Sequence, residues 1–527
     1  MRHWLRRFGN YAATILTIVA LLSCGGGGNS SPVSSSTSSP AQTGGDPPSL
    51  SASQVSTIVQ NAMQSVDSPM VVAVADRLGN ILAIARTPGV SANATAKGNF
   101  GETVSAEELA LGLARTAAFF SNDQAPLSSR TVRFISGIHF PPGVANTANA
   151  DLYGIENTNR GCTLSTNFLP GQSIPPGRSI DGTTTGLGII TGKADVFDSQ
   201  PFAVNPGGIP IFNGGAVGGV GVVSMVTPSR YDIAEFAAFS GSLNSGFLPI
   251  KSLPPPGMVV IAGIEVPFAD QTTQPSGTTP ASGPITPIYD KGPFSAATPF
   301  PTGYLVGPNA GSVLTAQQVN TIIMNAVATA GITRAVIRLP LGQHTEMTIA
   351  VSDVDGTLLG LFRMHDGTVF SIDVAATKAR NVVWFSSPAG SADLPGVPAG
   401  TAVTNRTISF GAQPFFPPGI NGSAPGPFFG LYERDVANPC TQGSQVTTPP
   451  GNNQSGIVFF PGSVPLYING AMVGGLGVSG DGVDQDDFVT NGGAQGFEAP
   501  ASIRADQVVI RNVRLPYLKF PRNPTNL

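Results

Sequence analysis

The sequence predicts an α+β fold made of two tandem domains, each a central antiparallel sheet with packed helices, related by a pseudo-twofold axis. Three observations lead to this class. A series of short segments occurs twice in the same order, each series contains two apolar stretches around a short turn, and apolar residues at helical spacing flank those stretches. Because such paired stretches form hairpins, the sheet is antiparallel, and the helices pack against it.

The helix that opens each copy is the clearest repeat. LSASQVSTIVQNAM starts at Leu50, and LTAQQVNTIIMNAV starts at Leu314. In both, a Ser or Thr that can cap the first turn precedes apolar residues spaced three or four apart. The two stretches therefore predict equivalent first helices.

The later segments keep the same order in both copies. VVAVADRLGNILAIAR (71–86) and TIAVSDVDGTLLGLFR (348–363) predict hairpins, and 109–120 and 373–386 predict a second helix. The remaining matches are HFPPG with FFPPG, NRGC with ANPC, NPGGIPIF with FPGSVPLY, AVGGVGVVSMVTPSRYDIAEF with MVGGLGVSGDGVDQDDF, and VVIAGIEVPF with VVIRNVRLPY, a predicted closing strand. Chance similarity does not reproduce an order, so we infer an internal duplication.

The duplication sets the domain boundaries. We place the first domain at residues 49–270 and the second at 312–521, followed by a tail at 522–527. The segment 271–311 is rich in Pro, Thr, Ser and Gly, which predicts a partly extended linker.

The N-terminus has the features of an export signal. Residues 1–23 combine a basic head with a short apolar run that ends in LLSC. This pattern resembles a bacterial lipoprotein signal, in which Cys24 would receive the lipid; an ordinary secretory signal is the alternative. Residues 24–48 are a Gly/Ser/Pro-rich tether with little to bury. We expect a lipid-anchored protein of the bacterial cell envelope, on the outer membrane by analogy, because Gly25 and not Asp follows the cysteine.

The charge content of the chain limits the classes of function that are possible. Only 11% of residues are charged and the net charge is −4, so no nucleic-acid-binding surface is indicated.

Cys162 and Cys440 occupy equivalent places in the two copies, and export permits disulfides. If the copies pack as a pseudo-twofold pair, these residues could bond to each other near the axis; two unpaired or buried thiols are the alternative.

The motifs of the second copy resemble one known family, the GlcG/HbpS-like proteins. The motifs are DxDGxLLxxFRM (353–364), AxxKA (375–379), PGxxP (461–465) and VGGLGVSGxxxxQDD (473–487). The resemblance implies a compact α+β domain that often forms dimers or larger oligomers, and haem or tetrapyrrole binding, as in some members. The first copy is more divergent: it lacks the Gln-Asp-Asp cluster, of which Asp232 and Glu235 are the predicted remnant.

The resemblance also supplies candidate ligand-binding residues. Asp353, Asp355, Arg363 and Lys378 could form a polar cluster at the mouth of the hairpin, although structural ion pairs are the favoured explanation of these charges. The other candidates are His365, Asp366, Asp76 and Arg86.

Haem, if bound, is expected to be non-covalent, because the chain contains no C-x-x-C-H motif. The chain after the signal has three histidines, His139, His344 and His365, and none has a histidine counterpart in the other copy. His365 lies in the family's hairpin-end motif and is our first candidate for an axial ligand; an exposed loop histidine is the alternative.

The acidic run after the last glycine-rich strand favours a helix terminus. Asp481, Asp484, Asp486 and Asp487 do not have the spacing of an EF-hand loop, whereas acids are favoured at a helix N-terminus. A cation site at these four residues is the weaker alternative. The run 475–480 satisfies G-x-G-x-x-G but lacks a βαβ context, so its glycines are expected to permit a close packing contact.

These features support a lipid-anchored binding protein for haem or a related flat apolar ligand, with no catalytic residue assigned. Two alternatives stay open. One is an enzyme that degrades a tetrapyrrole or acts on a small organic molecule, with Asp353, Arg363, Asp366 and Lys378 at its centre. The other is a structural lipoprotein of the envelope. The fused copies would form either an intramolecular pseudo-dimer or part of a homo-oligomer.

Overall fold

A computed structural model describes residues 49–98, 103–158, 180, 189–190, 205–248, 259–296, 301–438, 440–446 and 454–525. The predicted signal peptide, Cys24, the tether and Cys162 lie outside these residues. Within the described part, no helix is both long and apolar enough to cross a membrane. Residues from Pro47 to Leu527 belong to one unit, which contains both copies of the repeat.

The first half contains a five-stranded antiparallel sheet in the order β5-β6-β1-β2-β9. Its elements are α1 (Ala52–Ser65), β1 (Met70–Asp76), β2 (Ile81–Arg86), β3 (Thr95–Lys97), β4 (Thr103–Ser105), α2 (Ala106–Phe120), α3 (Ser129–Phe134), β5 (Gly208–Phe212), β6 (Ala216–Ser224), α4 (Tyr231–Asn244), β7 (Val260–Ile261), β8 (Ile264–Glu265) and β9 (Ile288–Lys291).

The second half contains an equivalent antiparallel sheet in the order β13-β14-β11-β12-β10. Its elements are β10 (Gly303–Val306), α5 (Ala316–Ala330), β11 (Thr348–Ser352), β12 (Leu358–Arg363), α6 (Phe370–Ser386), α7 (Asn405–Gly411), α8 (Phe429–Ala437), β13 (Ser463–Ile468), β14 (Ala471–Ser479), α9 (Val483–Gly493), β15 (Val509–Ile510) and β16 (Val513–Arg514). The α+β class and the antiparallel sheets are as the sequence predicted.

Helices cover both faces of each sheet, which explains why the central strands read as continuous apolar runs. All seven residues of β1 are buried. Val72 and Val74 pack with α1 and α4 on one face, while Val71 and Ala73 pack with α2 on the other. The second half repeats this arrangement: Ile349 of β11 packs with α5 on one face, and Ala350 packs with α6 on the other.

The first helix of each half begins at the residue that the sequence indicated. Ser51 caps α1 and Thr315 caps α5, and each forms a capping box with the glutamine three residues later, Gln54 or Gln318. The reciprocal hydrogen bonds satisfy backbone N–H groups that a helix terminus leaves without partners.

The segment between the halves differs from the expectation of a plain linker. Residues 288–291 form β9 at the edge of the first sheet, and residues 303–306 form β10 at the edge of the second. Edge strands pair through their backbone, so the side chains of such a segment need not show a strong strand pattern. The predicted linker therefore contributes to both sheets.

The predicted closing strand is not a continuous strand in either half. In the first half it is the two-residue pair β7 and β8, separated by Ala262 and Gly263, both at positive φ. In the second half it is β15 and β16, separated by Arg511 and Asn512, also at positive φ. Two consecutive residues with positive φ form the tight turn of a hairpin, so each stretch folds back on itself.

Equivalent residues of the two halves contact each other, as expected about a pseudo-twofold axis. His139 and Phe415 begin the two F-P-P-G segments, and their rings lie 6.3 Å apart. In the loops that follow, the backbone N–H of Asn146 donates to Oδ1 of Asn421, and the N–H of Asn421 donates to Oδ1 of Asn146. These segments, which have no match in the family motifs, join the two halves.

Candidate functional site

The glycine-rich strand β14 brings helix α6 unusually close to the second sheet. A Cβ atom on Gly477 would overlap with the carbonyl oxygen of Ala375, and one on Gly475 would overlap with that of Ala379. The glycines of this run therefore permit a close helix contact, as the sequence predicted, and not a dinucleotide site. The close approach directs Lys378 of α6 across the end of β14.

Lys378 and Asp486 form a buried ion pair at this point. The Lys378 Nζ atom lies 2.9 Å from Oδ2 of Asp486 and donates a second hydrogen bond of 2.8 Å to the carbonyl oxygen of Val478. Both side chains are buried. Oδ1 of Asp486 has no hydrogen-bond partner among the described residues.

A cavity of about 40 Å³ adjoins this ion pair, and both halves of the chain line it. The second half contributes Asp486, Ser479 and Val483 together with the rings of Phe370 and Phe460. The first half contributes mostly apolar side chains and one carboxylate: Phe120, Leu127, Ile135, Leu152, Ile261 and Asp151. The site is therefore complete only when the two halves are packed together.

Burial opposes the charged forms of the ionisable groups around the cavity. It raises the pKa of Asp486 to about 7, although the neighbouring Lys378 acts in the opposite direction. Burial likewise lowers the pKa of Lys378, against the influence of Asp486. The pKa of Asp151 rises to about 6, first because of burial and then because of the charge on Asp484. Desolvation is therefore the first cause of all three shifts.

The first half has a cavity of the same size at the equivalent place, with different chemistry. Arg115 of α2 donates to Gly79 O, and Arg380 of α6 donates to Gly356 O, which fixes the correspondence of the two helices. By that correspondence Leu113 replaces Lys378. Ala234 replaces Asp486, because each is the fourth residue of its helix. The first half therefore lacks the buried ion pair.

A second ion pair is kept in both halves. Arg406 of α7 pairs with Asp484 and Asp487, and Arg130 of α3 pairs with Glu235, the residue equivalent to Asp487. These contacts tie the short helix of each half to the start of its last long helix. The sequence singled out Glu235 as a remnant of the acidic cluster, and its position agrees with that prediction.

The four aspartates predicted as weak metal ligands are instead distributed among basic side chains. Asp481 pairs with Arg338, Asp486 with Lys378, and both Asp484 and Asp487 with Arg406. Asp484 and Asp486 lie in the first turn of α9, where the sequence analysis favoured them. No group of metal-binding side chains occurs among the described residues.

The polar cluster expected at the hairpin mouth does not form. Asp353 lies at the turn, where its carboxylate accepts hydrogen bonds from the N–H and Oγ of Ser312. Arg363 closes β12 at the other end and donates to the carbonyl oxygen of Gly367. The five steps from Leu358 to Arg363 span roughly 16 Å at about 3.3 Å per residue, so the two charges cannot meet. The proposed enzyme centre of Asp353, Arg363, Asp366 and Lys378 is therefore not assembled.

The remaining candidates of the two hairpins have structural partners. Asp355 accepts from the N–H of Thr357 in the turn. Asp76 makes the same kind of contact in the first half, with Asn80. Arg86 pairs with Asp290 of β9 at 2.9 Å, which fixes the edge strand that the sequence did not predict.

Asp366 lies in an ion network between the halves. It pairs with Arg338 at 2.7 Å and with Arg77 of the first half at 3.2 Å, and it also accepts the backbone N–H of Asp123. Arg338, which is fully buried, continues the network to Asp481. Sequence analysis missed Arg338, which lies outside the repeated segments, and Arg77, whose counterpart in the second copy is Val354.

The three histidines have different environments. His365 is exposed in the loop between β12 and α6, next to Asp366. His139 is fully buried and its Nε2 lies 2.9 Å from Oδ1 of Asn421. The His344 side chain is 48% exposed and lies 3.3 Å from Glu346.

Cys440 is bonded in a disulfide. Cys162 and Cys24, the other two cysteines of the chain, lie outside the described residues. The pairing of Cys162 with Cys440 therefore stays a prediction.

Comparisons with known proteins found a match to one family within the second half. A family model described as "Haem degrading protein HbpS-like" matches residues 314–495. A search of the curated proteins found no match.

Three solved structures are similar to parts of the chain. Protein ORFY of Klebsiella pneumoniae has 18% identity, with 36% of this chain and 93% of that chain covered and a TM-score of 0.23. A PduOC complex with haem has 20% identity, coverage of 35% and 94%, and a TM-score of 0.23. A double mutant of HbpS from Streptomyces reticuli has 19% identity, coverage of 38% and 99%, and a TM-score of 0.21.

Proposed function

We propose, from the premise that residues 314–495 are an HbpS-like domain, that the protein binds haem or a related tetrapyrrole without a covalent link. The match to the HbpS-like family is the observation that carries this proposal. The exposed His365 is the axial ligand, and the ligand lies on the surface of the second half. Bound haem would supply an iron centre for redox chemistry or for sensing.

The size of the internal cavity favours a surface site. Cavities that enclose drug-sized ligands have volumes of roughly 300–1,000 Å³. The cavity between the halves measures about 40 Å³ and cannot admit a tetrapyrrole in this conformation. A ligand of that size would therefore need a site outside this cavity.

Exposure combined with position in the hairpin-end motif distinguishes His365 from the other histidines. His139 is buried against Asn421, so its ring cannot reach a ligand on the surface. His344 is accessible but lies in a segment outside the family motifs. His365 is accessible and lies in the family's hairpin-end motif, next to the ion network that joins the halves.

Haem titration followed by absorbance tests the proposal. We expect a Soret shift that saturates near one haem per chain in the unchanged protein, and loss of that shift in His365→Ala. His344→Ala is the matched control and should retain it. An unchanged spectrum in His365→Ala removes that residue from the site. Loss of the Soret band with release of a product would instead favour the alternative of a haem-degrading enzyme.

We also propose that the chain is exported and lipid-anchored at the outer membrane. The sequence of residues 1–24 supports this proposal, and residues 25–48 would act as a tether. Replacing Cys24 by Ser should release the protein from the membrane fraction in a bacterial host. Retention of the Cys24→Ser variant in that fraction would count against a lipid anchor.

A further inference from the structure

We propose that the cavity between the halves is a binding site for a small organic cation, a short primary alkylammonium ion. Its ammonium group would meet Asp486 and Asp151, and its carbon atoms would contact the phenylalanine rings of the wall. This site is separate from the proposed haem surface at His365 and does not depend on it.

The first step is the unsatisfied carboxylate of Asp486. Its Oδ2 accepts from Lys378, but Oδ1 has no hydrogen-bond partner among the described residues, although Asp486 is 2% exposed and lines the cavity. A buried acceptor without a partner is costly, because the hydrogen bonds it made to water are lost. A ligand that donates a hydrogen bond into the cavity would restore this interaction.

The second step is the sign of the local charge. Around the cavity, Asp151, Asp484, Asp486 and Asp487 face three cations, Lys378, Arg406 and Lys519. When all four carboxyl groups are ionised, which the raised pKa values of Asp151 and Asp486 place above about pH 7, they leave an excess of one negative charge over the three cations. A bound monocation would balance that charge, whereas a neutral alcohol would not.

The third step is the wall of the cavity. The rings of Phe120 and Phe370 stack with centroids 4.0 Å apart and close one side. Nζ of Lys378 already lies 4.9 Å from the ring centroid of Phe460, so an aromatic face accepts positive charge here. The remaining wall is largely aliphatic, which suits a short alkyl chain.

The fourth step is size. A cavity needs an accessible volume of about 10–15 Å³ to hold one water molecule. At about 40 Å³ the site has room for roughly three water-sized groups, which corresponds to an ethylammonium ion.

The equivalent cavity of the first half supports the assignment by contrast. Leu113 and Ala234 occupy the positions of Lys378 and Asp486, and two cations, Lys97 and Arg230, line that cavity. An alkylammonium ion would find no free carboxylate there. Of these two matched cavities, one is therefore suited to a cation and the other is not.

Saturation-transfer NMR on the full chain tests the proposal, with ethylammonium chloride as the probe and sodium chloride keeping the ionic strength constant. A ligand of three heavy atoms can reach a Kd of only about 1 mM, so the titration extends to about 50 mM. We expect saturable binding of ethylammonium, and binding of ethanol, its neutral counterpart, at least tenfold weaker.

The decisive variant is the double substitution Lys378→Leu with Asp486→Ala, which copies the pair found in the first half. Replacement of a buried ion pair by apolar residues is often tolerated, so this variant should fold. Its affinity for ethylammonium should fall at least tenfold, whereas the exposed Glu498→Gln control should bind as the unchanged protein does. Asp151→Asn keeps the shape of the side chain and should weaken the binding of ethylammonium several-fold. This variant tests the proposal if the double variant is not folded.

Three results would overturn the proposal. Equal affinity for ethanol and ethylammonium would show that only the alkyl group is recognised. Full binding by the double variant, or by Asp151→Asn if it alone is folded, would place the ammonium ion elsewhere. Absence of saturable binding in the unchanged protein would leave a cavity that holds water only.

Discussion

The hydroxyl of Tyr432 in the second half donates a 2.9 Å hydrogen bond to Oε1 of Glu156 in the first half. Glu156 is fully buried, and the Tyr432 ring packs against Tyr153 and Phe459. A polar contact enclosed by aromatic rings joins the halves at a place that the family motifs do not include.

Replacing Tyr432 by Phe should lower the free energy of unfolding by about 1–3 kcal/mol, because a buried carboxylate loses a donor while the ring packing is kept. Urea denaturation measures the change. Tyr304→Phe is the control, since its hydroxyl donates to Asn320 within the second half and is only partly buried. A loss in Tyr432→Phe no larger than in the control would mean that the bond between the halves contributes little.

Replacing Arg338 by Ala should destabilise the protein by about 3–5 kcal/mol, because removing one partner leaves buried charges without compensation. The guanidinium group is fully buried and contacts Asp366, Asp481 and Gln124 of the first half. Thermal unfolding measures the effect, with Arg511→Ala as the control. Arg511 is exposed and donates to the carbonyl oxygen of Pro425, so its loss should cost well under about 1 kcal/mol.

Replacing Gly477 by Ala should disrupt the contact between α6 and β14, because the new Cβ atom would overlap with the backbone of Ala375. The cost should be about 1–3 kcal/mol, since backbone on both sides must move. Gly221→Ala should behave alike in the first half, where the overlap is with Ala110. Gly430→Ala is the control: no atom lies within 4 Å of its added Cβ, so this helical position should be neutral or slightly stabilised. Similar stability of all three variants would contradict the close contact.

Replacing Asp373 by Asn should increase stability above pH 5 and flatten its dependence on pH. Burial raises the pKa of Asp373 to about 8, and neither carboxyl oxygen has a partner among the described residues. Between about pH 4 and 8 the folded state holds this proton and the unfolded state does not, so the group makes stability fall with rising pH. The full slope is about 1.4 kcal/mol per pH unit.

Urea denaturation from pH 4 to 9 checks this slope. Asp232→Asn is the control with the opposite sign, because a hydrogen bond from Arg230 lowers the pKa of that carboxyl. The stability that the Asp232 carboxylate contributes is present above about pH 4 and is lost on acidification. The Asp232→Asn substitution should therefore leave the dependence of stability on pH unchanged between about pH 5 and 8. An unaltered slope in Asp373→Asn would show that this carboxyl does not titrate in that range.

The sequence predicted the parts of the fold that depend on local pattern. The caps at Ser51 and Thr315, the two hairpins and the glycine-rich strands all have signals within a few residues. The duplication strengthened each prediction, because two independent copies carried the same pattern. The edge strands β9 and β10 lacked such a signal, since backbone pairing at a sheet edge places few demands on the side chains.

The candidate site could be predicted only in part, because its contacts are distant in the chain. Lys378 and Asp486 were both singled out, but 108 positions separate them and nothing in the sequence pairs them. Arg338 lies in a segment that one half alone possesses, so comparison of the copies could not reveal it. For Asp353 and Arg363, the length of β12 itself excludes the predicted contact.

The fusion of the halves has a consequence for how such a protein can diverge. In a symmetric dimer of identical subunits, every substitution appears twice, so both cavities change together. Here Leu113 and Lys378 are encoded at separate positions, and each can be altered without the other. One half can lose its polar pair and still supply Phe120 and Asp151 to the wall of its neighbour. In a chain that contains both halves, one half can therefore keep only its structural contribution to the cavity wall while the other keeps the buried polar pair. Selection can then act on each half separately.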